Sequence, residues 1–260
     1  MIRDVIAAEW LKLRTARSTA VVLGAALAVM ALFLLITWQG VGIWDRSSPE
    51  QRARFGMAEP AWLAGWAAGL CLAVLGVLAI TSEYRSGMIR TTLTVAPGRS
   101  AVLAAKAAVV GGLALGAGLF VVLGTFAATR LIVGDRAIAG FQSPIAGHLP
   151  EILVRGCLVA VYALLALGLA ALLRSAAAAI VTIVLLWYIL PIGGNLLPGP
   201  WGERFTSFTL DALPEQVIGQ DNENSVFGAV LPPAAAVAVM VAYAALPLAA
   251  AMLALRRRDA

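Results

Sequence analysis

Six runs of almost unbroken apolar residues, each of helix length, restrict this chain to one kind of solvent. They cover residues 19–41, 61–81, 104–129, 152–173, 176–197 and 234–255. About 20 apolar residues in a helix cross the ~30 Å hydrocarbon layer of a bilayer. Backbone N–H and C=O groups find no water there, so only helices or closed barrels span it. The ten-residue alternation of barrel strands is absent, which leaves an all-α polytopic bundle of six transmembrane helices. Composition agrees: 61% of the residues are hydrophobic and 13% charged, too few polar side chains to coat a water-soluble fold of 260 residues.

Charge then gives a direction. The basic residues sit between the apolar runs and form no single stripe, so the net charge of +5 speaks for membrane orientation and against nucleic acid. Of the 19 Lys and Arg, 12 fall in the N-terminal segment, the 83–106 connection, Arg174 and the tail. The positive-inside rule therefore predicts both termini in the cytoplasm. Trp38, Trp44, Trp62, Trp66 and Trp201 fall where the outer headgroup layer is expected, and Arg256, Arg257 and Arg258 mark the inner one. The chain divides into an N-terminal interfacial helix (1–18), the six-helix domain (19–255) and a basic cytoplasmic tail (256–260). The first apolar run is too long for a signal-peptide core and lacks a small-residue cleavage pattern, so it reads as a retained span. Arg174 and Ser175 alone join the fourth and fifth runs, predicting a tight inner hairpin. The external loop 198–231 is rich in Pro, Gly and acids, with room for a short helix near 213–218.

Within the first eighteen residues, Ile2, Val5, Ile6, Trp10 and Leu13 recur at helical spacing, while Arg3, Asp4, Glu9, Lys12 and Arg14 mostly face away. That pattern predicts a helix lying along the inner surface, as an anchor for the first span or as part of a docking surface. The segment from Glu83 to Arg99 reads on its own as a short cytoplasmic helix stopped by Pro97-Gly98, or as a plain loop. Its order of Glu83, Gly87, Thr91, Thr92, Leu93, Pro97, Arg99 and the later Lys106 resembles the first cytoplasmic loop of type-two ATP-binding-cassette permeases. Glu9-Trp10-Leu11-Lys12-Leu13 before the first span, the six-helix layout, and Leu213-Pro214 with Val217-Ile218 extend the likeness.

The resemblance implies a bacterial exporter subunit that pairs with a second permease copy or a homologue and with separate ATPase subunits. It implies that loop 83–100 forms a coupling helix seated in the ATPase, with Glu83, Gly87, Thr91, Leu93, Pro97 and Arg99 shaping the contact. It also gives a role to Glu9, Trp10 and Lys12 in the interfacial helix, and suits lipid, peptide, antibiotic or other multidrug cargo. The Ala, Gly and Arg richness fits a bacterial plasma membrane.

Other chemistry is missing from the sequence. No G-x-x-x-x-G-K-[ST] pattern occurs, and neither lysine, Lys12 or Lys106, follows a glycine, so no cofactor is expected in this chain; ATP and Mg belong to the partner. The glycines of run 104–129 follow no strand and read as helix packing: Gly112 with Gly116, and Gly65 with Gly69, have the spacing that lets backbones approach. A single histidine, His148, predicted in a loop, excludes a multi-histidine metal site. Cys71 and Cys157 fall in apolar runs, as small hydrophobes. No ionisable residue lies deep in a run, which argues against an ion-coupled carrier. Glu151 and Arg155 read as an interfacial pair, and Pro191, Gly193, Gly194 and Asn195 as a break in the fifth span, opening backbone to a cavity or ending it re-entrantly. A membrane-bound assembly or sensing subunit that transports nothing is the alternative from another class.

Overall fold

The computed structural model describes residues 2–86, 99–141, 145–198, 200–219 and 231–257. These residues are helical throughout, with no strand among them. Helix α1 spans Ile2–Thr15 and α2 Arg17–Arg46; a single residue, Ala16, with extended backbone (ψ 125°) turns one into the other. A one-turn helix α3 (Pro49–Arg52), capped at both backbone and side chain by Ser48 and Gln51, leads to α4 (Pro60–Ser86). Then follow α5 (Arg99–Val133), α6 (Ile145–Leu173) and α7 (Ala176–Val184). A π-helical turn, Leu185–Ile189, carries α7 into α8 (Leu190–Asn195). Short helices α9 (Trp201–Ser207) and α10 (Leu213–Val217) precede α11 (Pro233–Arg257).

Six of these stretches are long and apolar enough to cross a membrane. At about 1.5 Å per residue, the 35-residue α5 is roughly 50 Å long and outreaches a ~30 Å hydrocarbon layer, so its ends stand at or beyond the headgroups. Helices α4 and α6 form the centre and pack on one another; α5 and α11 flank α6, and α2 lies across α4 and α5. Their contact is close because small residues face inward. A Cβ placed on Gly76 of α4 would collide with the Ala163 carbonyl of α6, and one on Gly118 of α5 would come within 2.6 Å of Val159 Cβ.

The fifth span does not break where the sequence suggested. Pro191 lacks the N–H that would reach back one turn, and the π-turn just before it, with the Leu190 N–H bonded to the Leu185 carbonyl, absorbs the fault. The helix thus runs on through Gly193 and Gly194 to Asn195. His148 lies in the first turns of α6, 6.0 Å from the Phe126 ring, and not in a loop. The hairpin after α6 is as tight as the two residues allow. Arg174 takes a left-handed backbone (φ 52°) with its N–H on the Ala170 carbonyl, and the Ser175 hydroxyl accepts from the Ala178 N–H to start α7. At the other end, α11 continues to Arg257, so the expected tail begins inside it.

Candidate functional site

Every lysine of the chain meets at one place. Lys12 from α1 and Lys106 from α5 lie between Glu9 of α1 and Glu83 near the end of α4. Lys106 Nζ donates to Glu9 Oε2 and, at 2.9 Å, to Glu83 Oε1; Lys12 Nζ donates to Glu9 Oε1 at 2.6 Å and to Glu83 Oε1 at 3.0 Å. Two acids and two bases alternate, so the set is neutral, and each acid touches both bases. Lys106 is 4% exposed, Glu9 2% and Glu83 5%. Charges this buried are tolerated only in close pairs. Lys12, at the rim, stays half-open to solvent: burial disfavours its charge, but the hydrogen bonds to Glu9 and Glu83 outweigh this and hold the ammonium above its ordinary pKa.

This corrects the reading of α1. Glu9 does not face water with the other polar residues; it turns into the bundle beside Leu13, whereas Ile6, Trp10 and Leu11 stay exposed on the outside. The helix therefore has three faces: an exposed apolar one with Ile6 and Trp10, an exposed charged one with Arg3 and Arg14, and one against protein with Glu9 and Leu13. Lys106 and Glu83 are buried, but both stand near helix ends, so neither lies deep in a run.

The cluster brackets the segment singled out in the sequence. Glu83 stands three residues before the end of α4, and Lys106 two turns into α5. Gly87, Thr91, Leu93 and Pro97 lie outside the described residues, and Arg99 is described only as the first residue of α5. Of the expected packing glycines, Gly65 would place a Cβ 2.8 Å from Val122 Cγ2, and Gly69 one 2.9 Å from Trp187 and Tyr162. Gly112 and Gly116 meet nothing within 4 Å inside this chain; they floor an apolar groove beside Leu23, Leu27 and Phe120.

A second polar site closes the opposite end of the bundle. Tyr162 of α6 stacks on Trp187 with ring centroids 3.6 Å apart, and its hydroxyl donates to Asp211 Oδ1 at 3.2 Å. Arg155 binds Glu151 (2.8 Å) and Glu215 (3.2 Å) and lies over the Trp62 ring. Gln216 ties the 201–218 segment together through the Ser207 carbonyl and the Leu231 N–H. The pair Glu151 and Arg155, read as interfacial, thus has a third member that sequence reasoning missed, since Glu215 is 60 residues away.

Burial pushes the Asp211 carboxyl above its ordinary value, against the opposing pull of the Tyr162 hydroxyl and Arg155. A raised folded-state pKa means that folding favours the protonated acid, so this contribution is full below about pH 3.8 and is lost as pH rises through the folded value. Asp211→Asn, which keeps an acceptor for Tyr162, is expected to be more stable than the parent at pH 7 and to lose that advantage toward pH 4. Unfolding midpoints in detergent at both pH values test this; an advantage that grows on acidification contradicts it.

Comparison with known families decides between the bundles this geometry allows. The family model for ABC-2 family transporter proteins matches residues 5–191. The chain belongs to the ABC-2 transporter family. The match takes in most of α1, the ion-pair cluster, segment 87–98, the first four spans and most of the fifth. No curated protein matches the chain. As an ABC-2 family member with six apolar spans, it is a multi-pass membrane protein of the permease kind, and the family lacks its own nucleotide-binding site.

Proposed function

We propose that this ABC-2 protein is the permease subunit of an ATP-driven exporter in a bacterial plasma membrane. In this reading both termini are cytoplasmic, and a second permease copy or a homologue completes the pathway. A separate ATPase, carrying ATP and Mg, delivers energy at residues 83–100. The observation that supports it most is the ion-pair cluster. It ties both flanks of that segment, through Glu83 and Lys106, to Glu9 and Lys12 of α1. A push on the segment is then passed to α4, α5 and α1 together. Nucleotide binding shifts the spans only if the ATPase contacts differ between inward-open and outward-open states, and a rigid attachment makes them differ.

The buried lysine favours a second reading, since ion-coupled carriers hold ionisable groups inside their spans. Against it, the four charges neutralise one another and stand at the end of the bundle that bears α1. Purification of the chain with bound ATPase, followed by nucleotide-dependent movement of amphipathic cargo in vesicles, tests the exporter. Glu83→Ala is expected to lower ATPase stimulation at least ~10-fold, the scale of one lost buried charge contact. Uptake driven by an ion gradient without any ATPase would establish the carrier instead, and ATPase capture with no transport a non-transporting assembly subunit.

A further inference from the structure

Beside the ion-pair cluster, α1, α2 and α4 enclose an open cleft of about 490 Å³. Its floor is apolar, with Leu75, Leu78 and Ala79 of α4; its rim is polar and carries Lys12 and Arg85. We propose that this cleft binds the anionic phosphate headgroup of an inner-leaflet phospholipid, with an acyl chain along the floor. The proposal takes from the preceding section only that α1 lies at the inner surface.

Four observations converge on an anion. The N-terminus of the 30-residue α2 opens on the cleft at Ala16, Ser18 and Thr19. The Ala16 and Thr19 N–H groups are taken by the Lys12 and Ala16 carbonyls, but Ala16 has no side-chain acceptor, so the Arg17 and Ser18 N–H groups are left without a cap at the positive pole of the helix.

Thr19, on the cleft wall and 5% exposed, has a buried hydroxyl with no hydrogen-bond partner among the described residues. Its counterparts Thr37, Thr81, Thr125 and Thr182 each donate to the carbonyl four residues back. Thr129 of α5 is the other threonine whose buried hydroxyl has no partner among the described residues, and it lies away from the cleft. An unpaired buried hydroxyl is costly, and this one belongs to a residue on the cleft wall.

Charge points the same way. Glu9 and Glu83 are each engaged by both lysines, so the acids are already compensated. Arg85, exposed on the rim, is an additional cation, leaving the lining with a net positive charge. Finally, a phosphate at the rim and an apolar floor below reproduce the order of a lipid's own head and tail.

Native mass spectrometry of the purified full chain, offered equal amounts of phosphatidylglycerol and phosphatidylcholine, tests the site. Retention of phosphatidylglycerol is expected to exceed that of phosphatidylcholine by about tenfold, because both carry the phosphodiester anion but only phosphatidylcholine adds an ammonium that the positively charged lining repels. Arg85→Gln combined with Thr19→Val is expected to abolish the preference, and Thr19→Ser, which keeps the hydroxyl, to retain it. Arg85 is exposed and the Thr19 hydroxyl unpaired, so neither change removes a contact that holds the fold. Equal retention of the two lipids, or an undiminished preference in the double variant, overturns the proposal. Displacement by sn-glycerol 3-phosphate assigns the site to a free phosphate ester and overturns the lipid source. No ATPase enters the assay, so its outcome is independent of the exporter reading.

Discussion

Lys106→Met is expected to destabilise the protein by about 3–5 kcal/mol, the cost of leaving a buried charge without its partner. Lys106 is the only base deep in the cluster, and without it Glu9 and Glu83 face each other across a space that Lys12 alone, at the rim, must neutralise. Adding Glu9→Gln should recover most of the loss, because one carboxylate then remains against one ammonium. Replacement of a whole buried ion pair by neutral groups is often tolerated, whereas removal of one partner is not. Thermal unfolding in detergent, followed by far-ultraviolet circular dichroism, measures both. A Lys106→Met protein as stable as the parent, or a double variant worse than the single, would show that the cluster does not hold α1, α4 and α5 together.

Gly76→Ala is expected to be the most damaging Gly→Ala change among the described residues. Its Cβ would strike the Ala163 carbonyl and stand 3.1 Å from the Leu167 nitrogen, and both are backbone, so no side chain can rotate aside. Helices α4 and α6 would have to separate along the centre of the bundle. Overpacking of this kind costs about 3 kcal/mol. The control is Gly112→Ala, where nothing lies within 4 Å. There the better helix propensity of alanine should leave stability unchanged or raise it by about 1 kcal/mol. Unfolding midpoints of the two variants, compared side by side, check the contrast. Equal midpoints would mean that the α4 and α6 backbones are not in contact at Gly76.

The six spans and the hairpin at Arg174 and Ser175 were legible in the sequence because the bilayer imposes a length and leaves one way to satisfy the backbone. For the 198–231 loop the sequence showed only room for a short helix near 213–218, and the structure forms one at Leu213–Val217 with Pro214 in its first turn. The inward turn of Glu9 was not. Helical periodicity sorts residues by polarity and assumes one apolar surroundings and one polar; α1 also has a third face against protein, where the matching polar group is a lysine 97 residues away. The same limit hid Glu215 from Arg155 and Asp211 from Tyr162, pairs joined only by the return of the 201–218 segment onto α6. Pro191 misled for a local reason: its missing N–H is absorbed by one π-turn, which no propensity announces. Gly76, the closest approach of the central helices among the described residues, has no glycine four residues to either side, whereas Gly112, paired by spacing with Gly116, touches nothing within the chain, since spacing shows that a helix can be approached and not by what.

The central claim is that energy from a separate ATPase enters at segment 83–100 and passes through the Glu9 and Lys106 contact to the spans. The most direct measurement places spin labels at the far ends of two spans, in the chain reconstituted with its captured ATPase, and reads their separation with and without nucleotide. The parent is expected to show a nucleotide-dependent change in distance. Glu9→Lys and Lys106→Glu, each alone, should abolish that change while the ATPase stays bound, and the combined exchange, which restores opposite charges, should bring it back. Single variants that keep the full nucleotide-dependent change would contradict the account.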